Sequence, residues 1–137
     1  MKWKISKFNQ MLELKGMTVG FDTETNGLRF SSFPCLLQIY VPEQGMSFIY
    51  PIRTKEYQAS NYDISVMQEV IPTLNVIGHN LQFDFRNLYY HFQILPKSVK
   101  DTWLLARILQ LPNQSLKDMI KAIDPNAKVK DFDAAVS

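Results

Sequence analysis

The sequence predicts a single α/β domain over residues 1–137, in which helices flank a mixed β-sheet. Three apolar, β-prone segments follow one another over residues 17–50 with only short turns between them, which is typical of an antiparallel meander. After residue 60, short apolar strands alternate with segments of helical periodicity, which is typical of parallel strands joined by helices. The chain is also long enough to bury a core of its own.

Composition and charge place the chain among ordinary globular proteins. Hydrophobic residues make up 46% of it and charged residues 20%, which excludes an intrinsically disordered chain. The net charge of +2 is too small to predict nucleic-acid binding by itself. No apolar run approaches the about 18 residues that a membrane helix needs. Because the lone Cys35 also fits a reducing compartment, we expect a cytoplasmic protein without a membrane partner.

The first half of the chain supplies the predicted meander. A basic, aromatic segment opens the chain and carries a short helical stripe that ends at Gly16. Turns are predicted at Asn26-Gly27 and at residues 42–45. We expect the three strands at residues 17–23, 35–41 and 46–50, of which the second is almost entirely aliphatic and therefore central.

The second half alternates helices with short strands. Asp63 is predicted to cap the first of these helices and Asn80 the second. Asp101 is predicted to cap the helix that follows it, which extends to Gln110, and Ser115 caps the last. We expect the two short strands of this half at residues 76–78 and 98–100.

Two carboxylates lie at the end of the first predicted strand. Asp22 and Glu24 are separated by one residue, so on a strand with a period of two their side chains point to the same face. Like charges at this spacing need a positive partner, which is a divalent cation, a shared proton or an arginine. The structural alternative is that one carboxylate caps the following turn and the other is solvated.

A third carboxylate follows a later strand. In the segment from Gly78 to Asp84, a strand end, a glycine and a cap residue place Asp84 one turn into a helix, beside the strand ends. The dipole of a helix favours an acid in its first turn, and this explains Asp84 alone. It does not explain the pairing with Asp22 and Glu24.

Three sequence segments, in this order, resemble segments of the DEDD 3′→5′ exonucleases. This family includes the proofreading domains of family A DNA polymerases and the ribonuclease D group. Each segment is weak alone, but their order and spacing together are specific. The resemblance runs from about residue 19 to residue 123 and implies a ribonuclease H-like fold. The segments are Asp22-Thr23-Glu24-Thr25, Gly78-His79-Asn80-Leu81-Gln82-Phe83-Asp84 and Lys100-Asp101-Thr102-Trp103-Leu104-Leu105-Ala106-Arg107.

The resemblance implies a nuclease that uses two divalent cations, Mg²⁺ or Mn²⁺. By this likeness Asp22 bridges both ions, Glu24 holds the ion that activates water, and Asp84 holds the ion near the leaving oxygen. Carboxylate oxygens suit both metals, and a metal pair stabilises the attacking and leaving oxygens. The likeness also implies contacts with the terminal nucleotide from Thr23, Thr25, Leu28, Asn80 and Phe83.

The implied function is the hydrolysis of phosphodiester bonds at the 3′ end of single-stranded nucleic acid. We expect proofreading of DNA, in a bacterial cell or a phage-infected host, with a polymerase domain as partner in the full-length protein. An RNase D-like ribonuclease is the alternative within the class, because discrimination of the 2′-OH depends on the shape of the pocket. Outside the class, the alternative is a degenerate, non-catalytic module that binds nucleic acid or another protein.

One motif of the family has no counterpart in this chain. The third exonuclease motif is a Tyr or His, three residues and an Asp, and no such pattern follows Ser115. Asp118 and Asp124 come too early for this role, and Asp131 and Asp133 approach the site only if the tail folds back. We expect either a fragment cut before its third motif or a naturally short, degenerate domain. In both cases we expect low or absent activity from the isolated chain.

Overall fold

The computed structural model describes residues 2–29, 31–110 and 115–126. They belong to two compact units, Met1–Asp101 and Thr102–Ser137. The single domain over residues 1–137 stays a prediction. Asp131 and Asp133, the predicted candidates for a fourth ligand, lie outside the described residues.

The first unit is built on a mixed sheet. Its described strands are β1 (Lys2–Ile5), β2 (Thr18–Thr25), β3 (Pro34–Val41), β4 (Met46–Pro51), β5 (Asn75–Gly78) and β6 (Ser98–Asp101). Their order across the sheet is β1-β4-β3-β2-β5-β6. Strands β2, β3 and β4 pair antiparallel, whereas β1 pairs parallel with β4, β5 with β2, and β6 with β5. The predicted combination of an antiparallel meander with parallel strands is confirmed.

Three helices of this unit pack on one face of the sheet. They are α1 (Phe8–Met11), α2 (Asn61–Val70) and α3 (Leu81–Phe92), and short 3₁₀ turns follow at Leu12–Leu14 and Ile71–Thr73. Every second residue of the central strands faces these helices and is buried in a common core. On β2 these residues are Val19, Phe21 and Thr23. The alternation therefore leaves Asp22 and Glu24 together on the opposite face of β2.

Two strands differ from the prediction. The structure has an edge strand, β1, where only a helical stripe was predicted. Its residues alternate lysine with an apolar residue, but all four are exposed, so the apolar pair of Trp3 and Ile5 adds nothing to the core. Backbone pairing with β4 forms this strand. Strand β2 also extends to Thr25, so Asp22 and Glu24 lie within it, and its pairing with β3 becomes irregular only between Glu24 and Thr25.

The start of α2 corrects the prediction that Asp63 is its cap. The N-cap is Ser60, whose hydroxyl accepts a hydrogen bond from the backbone N–H of Asp63 at 3.1 Å. The carboxylate of Asp63 accepts in return from the N–H of Ser60 at 3.0 Å. The two residues thus form a capping box, in which the acid occupies the third helical position rather than the cap.

The second unit contains two described helices, α4 (Thr102–Ile108) and α5 (Leu116–Ile123). Ser115 caps α5 as predicted, because its hydroxyl accepts from the N–H of Asp118 at 3.1 Å. Helix α4 ends before the predicted limit at Gln110. Across the described ranges, no helix combines the length and apolar character needed to cross a membrane.

Candidate active site

Asp22 and Glu24 project from the same face of β2, near the carboxyl end of the strand. In the antiparallel pairing with β3, Asp22 lies opposite Gln38 and Glu24 opposite Leu36. Both carboxylate side chains remain exposed. Desolvation by the surrounding protein, together with the charge of Glu24, nevertheless raises the pKa of Asp22 to about 6. This edge of the sheet therefore concentrates negative charge, as the spacing predicts.

Asp84 lies in the first turn of α3 and is buried, with 4% of its surface exposed. Its Oδ1 accepts hydrogen bonds from the backbone N–H of Thr23 at 3.0 Å and from the Thr23 hydroxyl. Burial raises the pKa of Asp84 to about 7, the charge of Asp22 adds to the increase, and the hydrogen bonds from Thr23 oppose it. Asp84 is thus fixed against β2, with its charge close to that of Asp22.

The close packing of α3 on β2 depends on one aromatic pair and one glycine. The rings of Phe21 and Phe85 stack with their centroids 5.0 Å apart. A Cβ atom on Gly78 would lie 2.8 Å from the carbonyl oxygen of Phe21 and 2.6 Å from Cδ2 of Leu81. Only glycine allows this approach, so the residue that ends β5 also sets the distance between α3 and the strand that carries Asp22.

The start of α3 is capped by Asp101, at the end of β6. Its two carboxylate oxygens accept hydrogen bonds from the backbone N–H of Asn80 at 2.9 Å and of Leu81 at 2.8 Å. The parallel pairing of β5 with β6 places Gly78 opposite Asp101, which brings this carboxylate to the first turn of α3. Asp101 therefore caps the preceding helix, α3, and the prediction that it caps the helix that follows it stays a prediction.

Asn80 occupies the N-cap position of α3 but does not cap the helix with its side chain. Its φ of 54° lies in the left-handed region, and the side chain makes no capping hydrogen bond. Asn80 thus has the predicted N-cap position, but Asp101 rather than the Asn80 side chain provides the acceptors. The Asn80 side chain is exposed.

The other residues predicted to contact substrate lie at the end of β2, in the loop that follows it and in the first turn of α3. Thr23 is buried, and its hydroxyl donates to Asp84, which places it behind the carboxylate rather than on the solvent side. Thr25 is half-buried and donates from its hydroxyl to the carbonyl oxygen of Gly27. Leu28, in the loop that follows β2, is 92% exposed, and Phe83 is half-buried in the first turn of α3.

The loop between β2 and β3 is held at both of its ends. The backbone N–H of Phe33 donates to Oδ1 of Asn26 at 2.8 Å. Nε2 of His91, near the end of α3, donates to the carbonyl oxygen of Ser31 at 2.8 Å, and its ring meets that of Phe33 with centroids 4.9 Å apart. These contacts, which the sequence analysis missed, tie the loop that carries Leu28 to the helix that carries Asp84.

The donor chemistry of the site fits hard divalent cations. Asp22, Glu24 and Asp84 offer only carboxylate oxygens, and a cation beside them would offset the burial and the mutual repulsion that raise the pKa of Asp22 and Asp84. In the part of the chain that the structure describes, no three His, Cys, Asp or Glu side chains are already grouped as a metal site. The three-carboxylate ligand set stays a prediction.

Comparison with known protein families agrees with this arrangement. Residues 4–131 match the family model for a 3′-5′ exonuclease. The chain belongs to this family. It is also 30% identical over 120 residues to DNA polymerase I of Aquifex aeolicus, a match that covers 84% of this chain and 19% of the polymerase. The predicted membership of the DEDD exonucleases is confirmed.

Solved nuclease structures share the fold of this chain. NrnC of Brucella melitensis bound to pGG superposes with a TM-score of 0.69 at 20% identity, over 96% of this chain and 65% of NrnC. RNase D of Escherichia coli superposes with a TM-score of 0.68 at 15% identity, over 97% of this chain and 36% of RNase D. The predicted ribonuclease H-like fold is confirmed. The chain spans about a fifth of the polymerase and less than two thirds of either nuclease.

Proposed function

We propose that this 3′-5′ exonuclease domain removes nucleotides from the 3′ end of single-stranded DNA with the help of two divalent cations, Mg²⁺ or Mn²⁺. The observation that carries the proposal is the contact between β2 and α3, where Thr23 fixes Asp84 beside Asp22. A similar fold solved with bound Mg²⁺, that of Brucella melitensis NrnC, supports the choice of metal. Similarity to a DNA polymerase supports DNA as the substrate.

Each carboxylate has a distinct part in the proposed chemistry. Asp22 and Glu24 present exposed oxygens that would bind the cations, Asp22 to both and Glu24 to the one beside the attacking water. Asp84 would bind the cation beside the leaving oxygen, and the hydrogen bonds from Thr23 to Oδ1 orient its carboxylate. When bound, a pair of divalent cations lowers the pKa of water and stabilises the attacking and leaving oxygens.

The terminal nucleotide would contact residues at the start of α3 and in the loop after β2. The exposed amide of Asn80 is not used for capping and can donate to the nucleotide, and Phe83 offers a half-buried ring. Thr25 and the fully accessible side chain of Leu28 would contact the terminal base. Apolar and aromatic contacts of this kind tolerate any base sequence. Thr23 acts indirectly, by positioning Asp84.

Turnover by the 137-residue chain is expected to be low. Metal-dependent hydrolysis in this arrangement draws on a fourth carboxylate, and no Tyr or His followed four positions later by Asp occurs after Ser115. Asp131 and Asp133 are the candidates for this ligand. We propose a polymerase domain as the partner in the full-length protein and the cytoplasm as its location.

Titration of Mn²⁺, followed by calorimetry, tests the metal site directly. Wild-type protein should bind Mn²⁺ saturably, and Asp22→Ala should weaken binding at least about tenfold, because Asp22 is proposed to contact both ions. Glu43→Ala is the matched control, since it removes an exposed carboxylate from the β3–β4 turn. Absence of binding to the wild type, or equal binding to Asp22→Ala, would contradict the proposed site.

A degradation assay tests the reaction and the substrate. The substrates are single-stranded DNA and RNA of the same sequence, labelled at the 5′ end and incubated with Mg²⁺ or Mn²⁺. We expect a ladder of products shortened from the 3′ end, abolished by EDTA and formed faster from DNA. Faster shortening of RNA would replace the DNA assignment with a ribonuclease, and internal cleavage would contradict an exonuclease.

A further inference from the structure

A pocket lies at the edge of the sheet where β2 ends, on the face that carries α1 and α2, whereas Asp22 and Glu24 project from the other face at the same edge. Its volume is about 570 Å³, and its walls come from the end of β1, the start of α1 and the segment that enters α2. Strands β1, β2 and β4 run in the same direction, so their carboxyl ends meet at this edge. Strand β1 is three positions from β2 in the sheet, which corresponds to about 14 Å at the usual strand spacing.

A buried hydroxyl in this pocket lacks a partner. Ser6 lines the pocket and is 6% exposed, and among the described residues its Oγ has no hydrogen-bond partner. Its backbone N–H, by contrast, donates to the carbonyl oxygen of Ile49 at 2.8 Å. A buried polar atom without a partner is costly, and a polar group of a ligand would satisfy it.

The rim of the pocket combines two aromatic rings with a cation. Tyr57 and Tyr62 are 41% and 57% exposed, and Lys7, which precedes α1, is also exposed. The carboxylate of Asp63 accepts hydrogen bonds from the Tyr57 hydroxyl and from the N–H of Ser60, so its charge lies on the tyrosine side. This arrangement suits a nucleotide, whose base would stack on the tyrosines and whose phosphate would lie near Lys7, away from Asp63.

A cation and an aromatic ring also lie between this pocket and the active site. The guanidinium carbon of Arg53 is 3.6 Å from the centroid of the Phe33 ring. Arg53 follows β4, which is two positions from β2 and adjacent to β1. The exposed Arg53 is therefore placed to contact the backbone of a strand that runs along this edge.

We propose that the pocket formed by Ser6, Lys7, Tyr57 and Tyr62 binds an upstream nucleotide of the same single strand whose 3′ end is processed at Asp22. The inference rests on the proposed function and adds a second anchoring point to it. Because three strand spacings separate β1 from β2, a nucleotide upstream of the terminal one is the one that would reach the pocket. A dinucleotide bound at Asp22 would occupy the active site alone.

Fluorescence anisotropy with oligothymidylates of two and eight nucleotides tests the proposal, with Ca²⁺ replacing Mg²⁺ to limit cleavage. Wild-type protein should bind the octamer at least about tenfold more tightly than the dinucleotide. Tyr62→Ala should weaken octamer binding about fivefold to a hundredfold, the range for the loss of one stacked base, and leave dinucleotide binding unchanged. Tyr62→Phe keeps the ring and should bind like the wild type.

Two further variants make the test specific. Tyr89→Ala removes a tyrosine of similar exposure (54%) from α3 and should not alter octamer binding. Lys7→Gln should reduce the slope of log affinity against log salt by about one for the octamer, because one phosphate contact is lost. Equal octamer affinity for Tyr62→Ala and the wild type would overturn the inference and leave the proposed function standing. If neither oligonucleotide binds to the wild type, both proposals are wrong.

Discussion

Strand β2 and helix α3 contribute carboxylates to the proposed site in opposite ways. Asp22 and Glu24 are exposed, and the alternation of the strand alone directs them to one face. Asp84 is buried and is fixed by hydrogen bonds from Thr23. The strand carboxylates can therefore be replaced at little cost to folding, whereas replacement of the helix carboxylate changes the packing between α3 and β2.

Strand β2 and helix α3 also differ in the contacts that fix their positions. The position of β2 follows from its pairing with β3 and β5 within the sheet. The position of α3 depends on contacts from other parts of the chain, which are the ring of Phe21, the absence of a side chain at Gly78 and the carboxylate of Asp101. Four substitutions separate effects on exonuclease activity from effects on the free energy of unfolding.

The largest effect is expected for Glu24→Gln, on the strand side. From the low turnover expected of the chain, activity should fall at least about a thousandfold, which corresponds to about 4 kcal/mol of transition-state stabilisation, and so below detection, because a proposed metal ligand is lost. The free energy of unfolding in EDTA should stay within about 0.5 kcal/mol of the wild type, since Glu24 is exposed. Urea unfolding and 3′-end shortening measure the two quantities, and a large loss of stability would contradict the comparison.

Asp84→Asn should change how stability depends on pH. The pKa of Asp84 rises from 3.8 to about 7 on folding, so its contribution to stability is complete below about pH 4 and is lost as the pH rises through 7. In EDTA, the variant should therefore be more stable than the wild type at pH 8, by at most about 4 kcal/mol. The difference should disappear towards pH 4. Parallel urea-unfolding profiles over this range would show that Asp84 is not desolvated.

Gly78→Ala tests the packing distance between α3 and β2. The new Cβ would collide with the backbone oxygen of Phe21, and we expect a loss of about 1–3 kcal/mol in the free energy of unfolding. Gly20→Ala is the graded control, since its Cβ would lie 3.2 Å from Cβ of Tyr40 and should cost less. Thermal or urea unfolding of both variants measures the difference, and a larger loss for Gly20→Ala would contradict this account.

The smallest effect is expected for Asp101→Ala, which removes the cap of α3. Loss of a cap costs about 0.5–2 kcal/mol, and Asp101→Asn should retain most of the stability, because asparagine caps about as well as aspartate. Hydrogen exchange at the amides of Asn80 and Leu81 should accelerate in the alanine variant, since Asp101 accepts from both. Unchanged exchange at these amides would argue against the cap.

The sequence by itself determined the features that follow from local periodicity. The period of two along β2 places Asp22 and Glu24 on one face, and the helical period after Gly78 places Asp84 in the first turn of α3. The meander of β2, β3 and β4 and the Ser115 cap of α5 are equally local, since each depends on neighbours within a few residues.

Tertiary structure decided the contacts between residues far apart in the chain. Pairing with β4 forms β1, although all four residues of β1 are exposed and none of them is buried in the core. Asp101 caps α3 because β5 and β6 lie side by side, and Thr23 donates to Asp84 across 61 positions. Such contacts depend on which strands become neighbours, which is a property of the whole sheet and has no local signal in the sequence.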